Sequence, residues 1–378
     1  MPSKLATTLK RQGAQPKKRV PLWTGPSGEG PNGGVTQGLI GRFLSCRERF
    51  RLHAVEGLRP SPQFEPRMEF GSMWHVCEET LAGSGPRFFQ QPSVSAPALT
   101  DYCKQLCKKF PTQQEQIDHW YGVCKALFPR YVKHWSRHPD VKGRTPLLQE
   151  QAFDVPYNLP SGRTVRLRGK WDAVDLLPAH TEGGRKFAAS IWLQENKTKS
   201  SIDAVKIGRQ VKFDLQTMLY LVALKEYGSP DGAVTLEEHV GAPILGIRYN
   251  VIRRSAHKSV ESMLKKLDDD VADGRSGEWF ARWKIEVTAN DIERFRRECL
   301  DPILEQLYDW WDYIQCDPCN PWMAEAAGED VGRFIHWRHP FGIYNVIDEG
   351  GFSDVDAFLE TGSQAGLHRV DVLYPELA

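Results

Sequence analysis

The chain has 378 residues, of which 40% are hydrophobic and 26% charged, and its 49 Lys and Arg nearly balance its 48 Asp and Glu. This length can bury a large core without disulfides, and eight cysteines are too sparse for a disulfide scaffold, which favours a reducing compartment such as the cytoplasm. No stretch has the about 18 apolar residues that a membrane helix needs, and we expect no secretory signal. A membrane protein, a secreted mini-protein and a disordered chain are therefore excluded.

The charges are unevenly distributed along the chain. Residues 1–35 are rich in Lys, Arg, Gly and Pro and lack apolar periodicity, which predicts a flexible basic arm. Acidic residues predominate from Glu325 onward. A basic head and an acidic tail are compatible with nucleic-acid contact, although charged runs are also common on solvated surfaces.

Helical periodicity follows the arm in four segments. Apolar residues at helical spacings predict helices over 36–55, 70–81, 98–110 and 113–138, and Thr36 is a suitable N-cap for the first. These helices would form an N-terminal cap on the part of the chain that follows.

The periodicity then changes to that of strands. Segments 147–155, 164–177 and 187–197 are rich in β-branched and aromatic residues and are joined by Gly- and Pro-containing turns, which predicts an antiparallel meander. A long helix over 204–227 with Gly228 as its C-cap comes next, then a strand over 244–253, a helix over 259–272, a strand over 280–287 and a helix over 291–313. This order predicts one α/β domain with a helical N-terminal cap.

Polar residues on the second and third predicted strands suggest a metal site. Asp172 follows Gly169 on one strand, and Glu195 and Lys197 lie two apart on the next, so that both leave the same face. A hairpin would place Asp172 beside Glu195, and paired carboxylates suit Mg²⁺ or Mn²⁺. A neighbouring lysine can stabilise charge that develops on a phosphate. The alternative is that these are solvated polar positions on a half-exposed sheet.

Two further positions extend this group. His75 follows Gly71 at the start of the second predicted helix and could supply an imidazole ligand, although a single histidine there is commonly a capping or buried residue. Gln216 and Tyr220 lie four apart on the helix after the third strand and therefore share a face.

The order of these motifs resembles the PD-(D/E)xK nuclease superfamily, and most closely its RecB-like exonuclease branch, which includes CRISPR-adaptation nucleases and many phage-encoded proteins. The matching segments run in the family order from residue 36 to residue 344. They are a helix end with a cysteine at 44–50, Gly-x-x-x-His at 71–75, Gly-x-x-Asp at 169–172, Glu-x-Lys at 195–197 and Gln-x-x-x-Tyr at 216–220.

The resemblance implies a restriction-endonuclease-like α/β core, a central mixed sheet flanked by helices, with an N-terminal helical cap. We expect a flexible arm at 1–35, a helical region at 36–146, the nuclease core with C-terminal helices at 147–316 and an acidic extension at 317–378.

The resemblance also implies residue roles. His75, Asp172 and Glu195, with the backbone carbonyl of Asn196, would bind Mg²⁺ or Mn²⁺, and Lys197 would be the catalytic lysine. Gln216 and Tyr220 would contact DNA or brace the site, and Glu150 on the first strand is a further candidate for an outer carboxylate. The reaction would be phosphodiester hydrolysis by a metal-activated water.

Basic and aromatic residues near these motifs fit a polyanionic substrate. The cations that we expect to contact DNA phosphates after the third strand are Lys199, Lys206, Arg209 and Lys212, and those after the next strand are Arg253, Arg254 and Lys258. A solvated helix face is the alternative. Trp74, Trp171 and Trp192 could stack on unpaired bases, or belong to the core.

Many RecB-like relatives hold a [4Fe–4S] cluster, and here Cys46, Cys299, Cys316 and Cys319 are the candidate ligands. The region around His339–Asn345, where the family's last cysteines usually lie, contains none, which argues against an intact cluster. A zinc site at Cys316 and Cys319 lacks a second pair of ligands. We expect the remaining cysteines, Cys77, Cys103, Cys107 and Cys124, to be core thiols.

The sequence therefore favours a metal-dependent DNA exonuclease that acts on ends or single strands in recombination, repair or phage DNA processing, in a bacterial or phage-infected cell, with recombination or replication proteins as partners. The alternative is a DNA-binding or complex-forming module that keeps the fold without cleaving. A sequence-specific endonuclease of the same fold is a third reading.

Overall fold

The computed structural model describes residues 20–85, 91–136, 138, 141, 143–211, 214–228, 234–255, 257, 259–315 and 367–377. Within these ranges no helix is both long and apolar enough to cross a membrane. The helices and strands alternate much as the sequence predicts, and the differences lie where one segment bends or divides.

Of the flexible arm predicted for 1–35, residues 1–19 lie outside the described part of the chain, and residues 20–35 pack against the folded body. The Trp23 side chain is fully buried, its ring meets Phe50 edge-on at 5.1 Å, and its indole N–H donates to the Gly34 carbonyl at 2.8 Å. Val35 forms a parallel bridge to Leu167. The composition suggested an arm because half of residues 20–35 are Gly or Pro, and single residues such as Trp23 supply the contact with the core.

The chain that precedes the central sheet is mainly helical. They are α1 (Gln37–Ser45), α2 (Arg47–Phe50), α3 (Pro66–Gly83), α4 (Ala96–Lys109) and α5 (Gln114–Trp135), with a π turn at Arg51–Val55 and a short strand β1 (Leu58–Pro60). The Thr36 side chain caps α1, as predicted. The single helix predicted over 36–55 is broken at Cys46, whose backbone is extended and whose thiol accepts the Arg49 N–H at 3.3 Å.

A mixed five-stranded sheet forms the centre. Its strands are β2 (Thr145–Asn158), β3 (Thr164–Leu177), β6 (Ser190–Lys199), β7 (Ile244–Arg253) and β8 (Phe280–Glu286), in the order β2-β3-β6-β7-β8. The first three are antiparallel, which confirms the meander, whereas β6 and β7 are parallel. A small hairpin of β4 (His180–Glu182) and β5 (Arg185–Phe187) occupies the predicted turn.

The crossover between the parallel strands contains α6 (Ala204–Val211), α7 (Leu215–Glu226) and α8 (Leu236–Val240). The single helix predicted over 204–227 is therefore wrong. Asp214 has an extended backbone and its carboxylate accepts the Thr217 N–H at 3.0 Å, so it caps a new helix. Gly228 is not the C-cap, because α7 ends at Glu226 with Tyr227 as its C-cap, and Gly228 bridges to Thr235.

The remaining elements are α9 (Val260–Ala272), α10 (Ala289–Phe295), α11 (Asp301–Ile314) and β9 (Leu367–Arg369). A π turn at Arg296–Leu300 joins α10 to α11, where the sequence predicts one helix. Strand β9 pairs antiparallel with β1, so residues close to the two ends of the described chain lie together.

Two apolar clusters cover the sheet. One contains side chains of α1, α7, α11 and the inner face of β2 and β3, and the other contains α3, α4, α5 and α9 with Ile252 and Phe280. Trp74, Trp171 and Trp192 are fully buried, so they belong to the core and are not placed to stack on bases.

Candidate active site

The antiparallel pair β3–β6 brings Asp172 next to Glu195. The last paired residues are Ala173 and Gln194, and immediately beyond them the Asn196 N–H donates to Asp172 Oδ2 at 2.7 Å. Asp172 is thus fixed by the backbone of the strand that carries the Glu-x-Lys motif.

The Glu195 carboxylate, the Lys197 ammonium and the Gln216 amide form a closed set of contacts. Lys197 Nζ contacts Glu195 Oε1 and donates to Gln216 Oε1 at 3.2 Å, and Gln216 Nε2 donates to Glu195 Oε1 at 2.8 Å. Glu195 is completely buried and Lys197 keeps about a third of its side chain exposed. Gln216, in the first turn of α7, therefore contacts both the glutamate and the lysine of the motif.

His75 and Glu150 complete the group on the side of α3. His75 Nδ1 lies 2.8 Å from Glu150 Oε1 and 3.8 Å from Asp172 Oδ1. Lys170 Nζ contacts Glu150 Oε2 at 2.7 Å. Potential ligand atoms of His75, Glu150 and Asp172 all lie within 4.8 Å of one another.

Glu150 has an unusual backbone. Its φ of 45° lies in the left-handed region, and it is the only described residue other than glycine with a positive φ. Such a conformation costs about 1–3 kcal/mol and persists where the surroundings enforce it. Here it coincides with the side chain that contacts His75 and Lys170.

Burial and clustered charge shift the pKa values of the group. Burial, reinforced by the charge of Asp172 and opposed by Lys197, raises the pKa of Glu195 to about 7. Burial also raises the pKa of Asp172. Burial lowers the pKa of His75, but the hydrogen bond with Glu150 and the charges of Asp172 and Glu150 outweigh it, so that the pKa rises to about 9. The carboxylates are thus crowded and desolvated, a state that a bound cation would relieve.

The donors fit a divalent metal. Glu195 Oε2 is buried and has no hydrogen-bond partner among the described residues, while Oε1 is engaged by Lys197 and Gln216. An unpartnered buried carboxylate oxygen is costly unless something binds it. Three carboxylates present the hard oxygen ligands that Mg²⁺ and Mn²⁺ prefer, and the imidazole of His75 adds one nitrogen donor.

Gly169 has a structural explanation. A Cβ at this position would lie 2.6 Å from Phe153 Cζ and 3.1 Å from Tyr220 Cε1, so any side chain would displace the aromatic rings. Tyr220 packs edge-on against Phe153 at 5.4 Å, and burial raises its pKa to about 12. Gln216 contacts the Glu195 carboxylate, and Tyr220, one turn later, packs over Gly169.

The cations predicted to bind phosphate lie in different surroundings. Lys199 and Arg209 line a cavity of about 560 Å³ that also borders Tyr249, and Lys206 is exposed on α6. Arg253 and Arg254 lie over the rings of Trp279 and Trp120. Lys212 and Lys258 lie outside the described residues.

The cysteines give no ligand group in the described part of the chain. Cys46 is buried as the N-cap of α2, Cys299 is half-buried in the π turn, and Cys316 and Cys319 lie outside the described residues. Cys77, Cys103 and Cys124 are buried among the helices of the cap, and Cys107 is half-buried.

Lys170 is the residue at this site that the sequence did not single out. It lies two residues before Asp172 on β3, and strand alternation alone places the two side chains on one face. Its contact with Glu150 depends on β2, the neighbouring strand, so only the pairing of β2 with β3 reveals it.

The mixed sheet, the flanking helices and the carboxylate–lysine group together define a nuclease core. A model of the PD-(D/E)XK nuclease superfamily matches residues 36–320, and the chain belongs to this superfamily. Comparison with curated proteins gives no match. Membership indicates a nuclease, a hydrolase whose substrate is nucleic acid, and the restriction-endonuclease-like α/β fold predicted from the motifs is confirmed.

Proposed function

We propose that the protein is a metal-dependent DNA exonuclease that hydrolyses phosphodiester bonds. One observation carries the proposal. Asp172 and Glu195 lie at one point of the sheet, where Lys197 and Gln216 contact Glu195. His75 lies beside Asp172 and contacts Glu150.

His75, Asp172 and Glu195 would hold Mg²⁺ or Mn²⁺, with the backbone carbonyl of Asn196, and Glu150 would act from outside the ligand set. When bound, such an ion polarises a phosphoryl oxygen and lowers the pKa of bound water. Glu150 would fix the orientation of the His75 ring, since its Oε1 contacts Nδ1.

Lys197 would act on the phosphate. Burial lowers the pKa of its ammonium, but the charges of Glu195 and Asp172 outweigh burial and raise it, so the group stays protonated at neutral pH. A fixed ammonium next to the carboxylates can stabilise negative charge that develops on the phosphate and can hold the attacking water by a hydrogen bond. Gln216 would maintain the distance between Lys197 and Glu195, because it bonds to both.

DNA would approach along the exposed basic side chains. Lys199, Lys206 and Arg209 follow the motif strand and would bind phosphates without reading sequence, with Tyr220 bracing the site. Recombination, repair or phage DNA processing in the cytoplasm, together with the protein partners of such pathways, is the setting that we propose.

The test is degradation of end-labelled single- and double-stranded DNA with Mg²⁺, Mn²⁺ or EDTA. We expect stepwise loss of label that requires metal and that falls at least about 10²-fold in Lys197→Ala. Lys104→Ala, an exposed lysine of α4 paired with Asp101, is the matched control and should cleave normally.

Other outcomes would separate the alternatives. Tight DNA binding without cleavage in any metal would contradict the enzyme proposal and favour a non-cleaving module. Cleavage of circular DNA at defined positions would contradict the exonuclease proposal in favour of an endonuclease. Unchanged cleavage by Lys197→Ala would remove the proposed role of the lysine.

A further inference from the structure

A second cavity lies next to the carboxylate group, on the side of α1. It has a volume of about 450 Å³ and is lined by the first turn of α1, by Arg42, His53 and Arg59, by Lys170 and Tyr220, and by residues 373–377 of the C-terminal segment. The sequence motifs do not include Arg42, His53 or Arg59.

The charged side chains that line this cavity are predominantly basic. Arg42, Arg59 and Lys170 line it against one exposed carboxylate, that of Glu376. Arg42 donates to the Gly38 carbonyl at 3.0 Å and Arg59 to the His53 carbonyl at 2.6 Å, so both guanidinium groups are held at the wall through backbone contacts. Burial and the charges of Arg42, Arg59 and Arg49 lower the pKa of His53 to about 2, as expected where positive charge is concentrated.

The N-terminus of α1 opens on the same cavity. This helix has nine residues, and Thr36, Gln37 and Gly38 at its start line the wall. A helix N-terminus carries a partial positive charge and favours anions. The guanidinium groups of arginine donate two N–H groups to the oxygens of a phosphate, and the backbone N–H groups of such a terminus can donate as well.

Lys170 joins the cavity to the carboxylate group. It lines the cavity, and its Nζ contacts Glu150, which contacts His75. Tyr220 lines the cavity too, one turn beyond Gln216. A phosphate in the cavity would therefore lie beside the carboxylate group.

We propose that this cavity binds a phosphate group of the substrate strand beside the one that is hydrolysed. The inference rests on the proposed function and adds to it a binding site for the strand. The phosphate could be a terminal monoester or an internal diester, which share this chemistry and differ in charge. One wall is the chain's own C-terminal segment, whose residues 373–377 thus contribute to substrate binding.

The experiment measures binding to the Lys197→Ala protein without cleavage. Short fluorescent oligonucleotides with a 5′-phosphate, a 5′-hydroxyl or a 3′-phosphate, and a circular single strand, are titrated against Arg42→Gln and Arg59→Gln in that background. We expect at least about tenfold weaker binding and a smaller salt dependence, since each variant loses one phosphate contact. A loss confined to one phosphorylated end identifies a terminal phosphate, and an equal loss on the circle identifies an internal one.

Controls separate binding from folding. Arg294→Gln on α10, an exposed arginine paired with Glu298, should bind like its parent. Arg42→Lys keeps the charge and should recover part of the affinity. As a measurement that needs no cavity variant, inorganic phosphate in EDTA should compete with the oligonucleotide for the Lys197→Ala protein.

The two proposals fail in different ways. Unchanged affinity in both arginine variants, together with no competition by phosphate, would overturn the cavity proposal even if the wild-type protein cleaves DNA. If the arginine variants bind more weakly but the wild-type protein never cleaves, the cavity remains a phosphate-binding site and the nuclease proposal is rejected.

Discussion

Two carboxylates of the candidate site are held in energetically unfavourable states, one by its backbone conformation and one by its burial. Glu150 has a left-handed backbone that L-residues rarely adopt, and its side chain contacts both His75 and Lys170. Glu195 is buried with one oxygen unpartnered among the described residues. Strained backbone and buried carboxylates of this kind are common at functional sites, where ligand binding or catalysis compensates for the lost stability.

We expect Glu150→Gln to weaken metal binding. The amide would lose the charge that faces His75 and Lys170, while the shape and the backbone change little. Loss of an outer partner of a metal-binding histidine typically costs about 10–100-fold in metal affinity or activity. The measurement is the Mn²⁺ concentration that gives half-maximal cleavage, compared with Glu115→Gln, an exposed carboxylate of α5. An unchanged Mn²⁺ requirement would show that Glu150 does not act on the metal.

At this scale strand geometry alone predicted one half of the site, and the resemblance to the nuclease superfamily supplied His75 and Glu150. The hairpin geometry that places Asp172 beside Glu195, and the shared face of Glu195 and Lys197, follow from strand alternation and agree with the contacts found. The partnership of His75 with Glu150 requires α3 to lie across β2, a tertiary contact that no local pattern encodes.

Strand β6 carries polar side chains on both faces, and each face has its own neighbours. On the face opposite Glu195 and Lys197, Arg248 donates to Gln194 at 2.6 Å, and Asn250 donates to Asn196 at 3.0 Å. Arg282 donates to Asn250 at 2.5 Å. Because the Asn196 N–H holds Asp172, this buried chain of amides fixes one carboxylate of the site from behind the sheet.

We expect Asn250→Ala to slow catalysis through Asn196. Without the amide of Asn250, the Asn196 side chain loses its 3.0 Å partner and the neighbouring backbone can shift. Small displacements of a reacting group can cost about 10²-fold in rate. Asn250→Asp keeps an acceptor for Arg282 but no longer donates to Asn196, so it should be impaired as well.

The measurement is kcat and KM for a labelled oligonucleotide, with the unfolding temperature measured in parallel. A positioning role predicts a fall in kcat with little change in KM. If both variants unfold at lower temperature but cleave normally while folded, Asn250 has only a structural role.

The predicted bounds of an element agree with the structure where a run of alternating apolar residues lies between two turns. The strands at 164–177 and 244–253 have the predicted bounds. The errors fall where a single side chain stops a helix, at Cys46 and Asp214, and where a π turn inserts a residue into a continuous helical pattern, at 296–300. The helical spacing of apolar residues continues across these breaks, so the spacing does not predict where one helix ends and the next begins.

At the scale of the whole molecule, segments near both ends of the described chain pack on the same side of the sheet. Arg168 on β3 donates to the carbonyls of Pro31 and Gly33, and its guanidinium lies over the Tyr374 ring. Arg369 contacts Glu56 at 2.7 Å. The predicted acidic extension therefore includes residues that complete the wall of the cavity beside the site, which composition alone did not indicate.

Asn32 connects the two segments directly. Its Nδ2 donates to the Asp371 carbonyl at 2.9 Å, and its Oδ1 accepts the Leu373 N–H at 2.8 Å. An asparagine that bonds both a donor and an acceptor of one extended segment fixes the position of that segment as a β-ladder would. Replacement by alanine removes both contacts and leaves the backbone groups to water, at a cost of about 1–3 kcal/mol.

We therefore expect Asn32→Ala to release residues 367–377 locally without unfolding the sheet. Hydrogen exchange should accelerate at the amides of 367–377, while β3 and β6 stay protected, because the apolar clusters that cover the sheet are untouched. Asn158→Ala, which removes an exposed bond to Thr164, is the matched control and should leave exchange at 367–377 unchanged. If exchange there is equal in Asn32→Ala and in the wild-type protein, the pairing of β9 with β1 and the Tyr374 contact hold the segment without Asn32. If instead the whole sheet exchanges faster, the two ends are part of one cooperative unit and the C-terminal segment cannot move independently of the site.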